Sequence, residues 1–87
     1  MSVVYAPDII SVSLGKNSAP TCIVWRNVRY RVTDTPTPLQ DLLLGLPHPP
    51  RIEGWRFQGT DSDGNSRIFD IRPNRLHQEW DLLRVYD

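Results

Sequence analysis

Between residues 52 and 87 the chain holds three short runs in which large apolar side chains recur at every second position. Trp55 and Phe57 alternate with polar neighbours, as do Phe69 and Ile71, and Trp80 and Leu82. A period of two is the mark of a strand with one face turned to a core. Three such runs in succession predict a ribbon of antiparallel hairpins whose aromatic residues share one side.

The spacing also predicts the register. If Trp55 and Phe57 face the same core as Phe69 and Ile71, then Phe57 lies opposite Phe69 and Trp55 opposite Ile71. That parity needs an odd-numbered loop. Asp61-Ser62-Asp63-Gly64 supplies it as a type I turn followed by a left-handed glycine and a bulge. The same register puts Arg56 opposite Asp70 on the outer face. A two-residue Asp63-Gly64 turn would bring Asp70 opposite Phe57 and draw a carboxylate toward the core, which disfavours it. In the next hairpin, a loop through 74–79 sets Ile71 against Leu82 and Arg72 against Asp81. Leu83 and Val85 compete with Trp80 and Leu82 for the buried side.

The first half carries weaker signals of the same kind. Val3–Tyr5 and Ile9–Leu14 read as two short β-prone pieces parted by Pro7-Asp8, with residues 1–19 a loosely attached N-terminal segment. Residues 15–20 are a loop by composition. Thr21–Trp25 and Val28–Thr33 read as a hairpin turning at Arg26-Asn27 or Asn27-Val28. Either turn puts Ile23, Trp25, Val28, Tyr30 and Val32 on one face. Cys22, Val24, Arg29 and Arg31 then lie on the other. Asn27 is the expected positive-φ residue. Between residues 34 and 51 the alternation stops. Leu39, Leu42 and Leu43 fall at helical spacing, with Thr37 as cap and Gly45 as stop, and predict one short helix. The prolines at 47, 49 and 50 enforce an extended connector after it.

Eighty-seven residues make one domain the expectation for 1–87. A domain of this size buries roughly 60–65% of the surface its unfolded chain exposes, so each large apolar residue weighs heavily. The predicted fold is mainly β: a small, curved antiparallel sheet or open barrel of five to six strands with one short helix. Its expected core is Ile23, Trp25, Tyr30, Val32, Leu42, Trp55, Phe57, Phe69, Ile71, Trp80 and Leu82. Cys22 is the single cysteine, in an apolar run, and reads as a packed thiol. A lone thiol fits a reducing cytoplasm better than secretion. No run approaches the ~20 apolar residues of a membrane span, and the N-terminus lacks the pattern of a signal peptide.

The segments Val24-Trp25-Arg26-Asn27-Val28-Arg29-Tyr30-Arg31-Val32, Trp55-Arg56, Ile68-Phe69-Asp70-Ile71 and Trp80-Asp81-Leu82-Leu83-Arg84 form a set. Together they resemble a family of short actinobacterial proteins with the pattern W-R-G-R-x-Y-x-V, W-R-V, F-D-L and W-x-L-V-R. The resemblance spans about residues 20–87. Asn27 stands where that pattern has glycine, and the prolines at 47–50 are a local variation. The resemblance implies a domain of unknown function, with some DNA-repair company through related translesion-polymerase-like proteins. It implies no catalytic residues.

Catalytic and metal signatures are weak. His48 and His77 have no ligand partner at i+2, i+3 or i+4, so no metal site is expected. Asp61–Asn65 begins like a calcium loop, but its glycine comes too early and Arg72 stands where the closing glutamate belongs. No serine sits in a nucleophile elbow and no glycine-rich phosphate loop is present. Glu53 and Glu79, each near a tryptophan, read as strand-end charges rather than as an acid pair. Neither a catalytic residue nor a cofactor is therefore expected. The segment 47–51 reads as a stiff connector ahead of a polyproline ligand.

Ten basic residues balance ten acidic ones, so no global field draws the chain to nucleic acid or to anionic membrane. Nine of the ten are arginines. Arg29, Arg31, Arg56, Arg72 and Arg84 fall in predicted strands and are the candidate contact residues. Neutralised by Asp70 and Asp81, they make a salt-bridged solvent face; unpaired, they make a phosphate-contact surface. The expectation is a non-catalytic binding or adaptor module in the cytoplasm, acting through a protein partner. The alternative is single-stranded nucleic-acid binding through an arginine-lined face.

Overall fold

A computed structural model describes residues 3–40, 53–74 and 79–86. Seven strands follow one another: β1 (Val3–Leu14), β2 (Pro20–Trp25), β3 (Val28–Val32), β4 (Thr37–Pro38), β5 (Trp55–Thr60), β6 (Ser66–Asn74) and β7 (Glu79–Tyr86). Every pairing is antiparallel. β1 lies between β2 and β7, and β3 pairs with β5, so six strands close into an up-and-down barrel. The predicted sheet is thus closed rather than open. Closure with antiparallel neighbours alone requires an even number of staves. β4 is accordingly left outside the ring, paired to Trp55 and Arg56 on the same edge of β5 that β3 takes at Gly59 and Thr60.

Both hairpin registers predicted for the C-terminal ribbon are present. Phe57 faces Phe69, Trp55 faces Ile71 and Arg56 faces Asp70. Ile71 faces Leu82 and Arg72 faces Asp81. The loop between β5 and β6 has Gly64 at φ 85°, with the Gly64 N–H donating to the Asp61 carbonyl at 3.1 Å. Asp61 and Asn65 bracket it as a three-residue turn. The β2–β3 turn is Arg26-Asn27, with both residues left-handed at φ 52° and 64°. Two successive positive φ values match the right-handed twist of the flanking strands.

The strand register shifts at three places among the described residues, one of them between Ser13 and Leu14 at the end of β1, and the other two shape the barrel. Leu82 and Val85 are three residues apart, an odd spacing that would send them to opposite faces of a regular strand. The register shifts between Asp70↔Arg84 and Ile71↔Leu82, leaving Leu83 as the extra residue. Both Leu82 and Val85 therefore turn inward and are buried. The second bulge falls between Tyr5 and Asp8 of β1, where the proline at position 7 has no N–H to donate. What reads in the sequence as two pieces is one strand. β1 pairs with two neighbours along residues 3–14, and its Ile10 is part of the core.

The core consists of Ile10, Ile23, Trp25, Tyr30, Phe57, Phe69, Ile71, Leu82 and Val85. Phe69 is fully buried and touches three rings: Tyr30 at 4.9 Å, Phe57 at 5.7 Å and Trp25, edge-on, at 6.0 Å between centroids. Gly59 makes that cluster possible. A Cβ there would lie 2.8 Å from the Phe69 ring and 3.1 Å from the Tyr30 Cβ. Val32, Trp55 and Trp80 were expected in the core but are only half-buried against it, because they lie toward the barrel ends. Ile10 and Val85 join the core unpredicted, while Cys22 is buried as its apolar run predicts.

The helix expected from Thr37 does not start there. Thr37 and Pro38 form β4 against Arg56 and Trp55, and the Leu39 N–H donates to the Gly54 carbonyl at 3.0 Å. Pro38 biases Thr37 to extended backbone, and the open edge of β5 supplies the hydrogen bonds. The rest of that predicted helix, including Leu42 and Gly45, lies outside the described residues. So do the proline connector at 47–51 and both histidines. Among the described residues the helical conformation is confined to a 3₁₀ turn at Lys16–Ser18 and to 3₁₀ backbone at Leu39 and Gln40, and no helix is long and apolar enough to cross a membrane.

Candidate functional site

All five candidate arginines stand on the outer face of the barrel, but closure divides them. Arg31 lies level with Thr60, while Arg56 lies four residues further down β5. At ~3.3 Å per residue that is about 13 Å along the strand. Arg29 and Arg31 therefore belong to one end, and Arg56, Arg72 and Arg84 to the other.

The second group is engaged. Arg56 grips Asp70 through two parallel hydrogen bonds, Nε to Oδ1 at 2.7 Å and Nη2 to Oδ2 at 2.9 Å. Asp70 is buried, and its Oδ2 also accepts from the Tyr86 hydroxyl at 3.0 Å. The hydrogen bonds to Asp70 raise the Arg56 pKa above its already high ordinary value, against the opposing effect of partial burial. Arg84 reaches the Tyr86 hydroxyl at 3.4 Å, and Arg72 lies 3.7 Å from Asp81. Bidentate geometry and burial make the Arg56–Asp70–Tyr86 group a structural brace of the β5–β6–β7 sheet.

The first group borders a cleft. The register between β3 and β5 runs through Val32↔Gly59 and ends at Arg31↔Thr60. Beyond that point the β2–β3 and β5–β6 hairpins diverge. The space between them is a groove of about 560 Å³, walled by Val28, Arg29 and Arg31 on one side and by Thr60–Asp63 on the other. Both arginines are exposed. Arg29 donates from Nε to the Cys22 sulfur at 3.1 Å and lines the groove. Arg31 makes no ion pair with any described residue.

Both walls are held by their own turns. The Asp61 carboxylate accepts from the N–H groups of Asp63 and Asn65, each at 2.9 Å, and from the Asn65 side-chain amide at 3.3 Å. Those bonds, led by the one from the Asn65 backbone, hold the Asp61 pKa below its ordinary value. On the opposite side the Trp25 indole donates to Asp8 at 2.9 Å, and Arg26 lies 3.3 Å from the same oxygen. Arg26 and Arg67 stack over the Trp25 ring at 4.7 and 5.8 Å.

Sequence reasoning picked out Arg29 and Arg31 but not the wall at 60–63. A sequence signal for the wall did exist. Val28–Val32 is followed by a long crossing to β5, so its outer edge has to meet a strand that is distant in the chain. Among the described residues no group of three or more His, Cys, Asp or Glu is placed to hold a metal ion.

The fold and cleft define a small closed meander barrel with one partly unzipped seam. Compared with protein-family models, curated proteins and solved structures, the chain matches none.

Proposed function

We propose that this protein is a non-catalytic binding module that engages a protein partner through the cleft between β3 and the β5–β6 turn. The observation that carries this reading is the open seam, with Arg31 beside it in no ion pair with a described residue and both of its walls held by internal hydrogen bonds. A preformed cleft loses little ordering entropy on binding. Arginine is also among the side chains enriched at protein interfaces. Two arginines on one wall favour an extended segment that carries acidic residues. The Asp61 carboxylate on the opposite wall accepts its hydrogen bonds within its own turn and keeps its charge, so the acidic residues of such a segment belong beside β3 rather than beside that turn.

The second reading, single-stranded nucleic-acid binding, has less support. Of the five arginines it invoked, Arg56 and Arg72 face aspartates and Arg84 lies at the far end, so Arg29 and Arg31 are left to contact phosphates, opposite Asp63.

Titration of the labelled protein, followed by amide resonances, separates the two. Three peptides of alternating valine and charged or neutral residues serve as probes, together with a single-stranded oligonucleotide. Acidic peptide moving Arg29, Arg31, Ser62 and Asp63, with the effect lost in R29S/R31S, supports the proposal. Response to the oligonucleotide alone, weakening steeply with salt, replaces it by the second reading. Silence toward all probes overturns both.

A further inference from the structure

We infer that the segment bound in the cleft enters as an added β-strand along β3, a conclusion that rests on the binding reading above. In an antiparallel ladder, successive residues direct their N–H and C=O groups to opposite neighbours. The Thr33 N–H donates to the Gln58 carbonyl at 2.9 Å, so Thr33 points toward β5, as do Arg31 and Arg29. Tyr30 and Val28 point toward β2, where they pair with Ile23 and Trp25. β5 ends at Thr60 and the chain turns away through Asp61–Gly64. No backbone hydrogen bond links Arg29 to the turn. The Arg29 N–H and C=O therefore face the groove with the geometry of a ladder position whose partner strand has stopped one residue pair short.

An incoming segment that continues the line of β5 satisfies both groups. Its side chain opposite Arg29 stands on the outer face, next to the Arg29 and Arg31 guanidiniums, and carboxylates suit that place. Side chains one residue to either side turn toward Val28 and Tyr30, where apolar groups suit. The recognised pattern is thus apolar–acidic–apolar in extended conformation. Main-chain pairing supplies the affinity and the alternate side chains supply the selection. Only about one hydrogen-bonded pair is on offer, so the expected affinity is modest, in the range of roughly 10 μM to 1 mM.

The test uses the intact protein and acetyl-Val-Asp-Val-Glu-Val-amide, with two versions N-methylated at alternate positions. N-methylation removes the donor and blocks the ladder edge without touching the side-chain charge. Strand addition predicts that one methylated version binds at least tenfold more weakly and the other binds like the parent. It also predicts slowed exchange of the Arg29 amide on binding the parent. Equal binding of all three peptides, with the Arg29 amide unchanged, overturns strand addition while leaving cleft binding intact. Failure of all three to bind overturns both. Weakening by both methylated versions alike points to steric exclusion and also counts against the inference.

Discussion

Arg56 on β5 and Asp70 on β6 sit directly opposite each other and join by two hydrogen bonds of 2.7 and 2.9 Å, with the carboxylate buried. The pair has an asymmetric consequence. The Arg56 side chain keeps about a third of its surface in water, at 36%, whereas the Asp70 side chain keeps 5%. Removing the arginine takes two of the three hydrogen bonds described for a buried carboxylate and leaves the one from Tyr86. R56A should therefore destabilise the fold by about 1–3 kcal/mol, toward the lower end of what a fully buried pair would cost. Y86F, which removes one bond of the group, should cost about 1 kcal/mol. Urea midpoints with unchanged slopes measure both.

Gly59 and Gly64 should respond to alanine for different reasons. At Gly59 the new methyl meets Phe69 and Tyr30 in the core. Overpacking of that kind costs about 1–3 kcal/mol. At Gly64 the space is open and the backbone is left-handed at φ 85°, so the cost is conformational, about 1 kcal/mol. Replacing Phe69 by leucine in the G59A background should recover part of the loss, and doing so in G64A should not. A double-mutant cycle by thermal or urea unfolding reads the difference.

The three tryptophans should differ in their access to solvent. Trp25 is 4% exposed and its indole is hydrogen-bonded to Asp8, while Trp55 and Trp80 are half-buried. In the W55F/W80F variant the remaining fluorescence should resist quenching by iodide. Variants that keep only Trp55 or only Trp80 should quench appreciably. Stern–Volmer slopes for the three single-tryptophan proteins check this ordering.

Asp61 should contribute to the acid limb of stability. Its folded-state pKa is depressed, so its contribution is present above the unfolded carboxylate value and is lost as pH falls through the lower folded value. D61A should therefore be less stable than the parent at neutral pH. The gap should hold down to about pH 5 and narrow below about pH 4, as the parent's own carboxylate takes up its proton. Denaturant midpoints for both proteins between pH 2 and pH 7 give the curve, and a gap independent of pH would refute the assignment.

Much of this barrel was legible in the chain because a strand's two faces are written at a period of two. Phe57 against Phe69, Trp55 against Ile71 and Arg56 against Asp70 follow from alternation together with the parity of a glycine-ended turn. The Arg26-Asn27 turn follows in the same local way. Where alternation was broken, the sequence was ambiguous. Leu82 and Val85 have the wrong spacing for one face, and only a bulge opposite β6 reconciles them. Pro7-Asp8 looks like a strand break, and only pairing with β7 shows it to be a bulge within one strand. Local helical spacing at Leu39 was overridden at its start by the open edge of β5, which captured Thr37 and Pro38.

The amino-acid order by itself determined which residues alternate, which turns can form and therefore how neighbouring strands in the C-terminal ribbon pair. The tertiary structure alone decided that β3 meets β5 and closes the ring, that β4 is left outside it, and that the arginines part into a braced group and a cleft-lining group. The physical reason is range. Period and turn chemistry act over a few residues, whereas closure joins Arg31 to Thr60 across a long crossing and depends on the shape of the whole barrel.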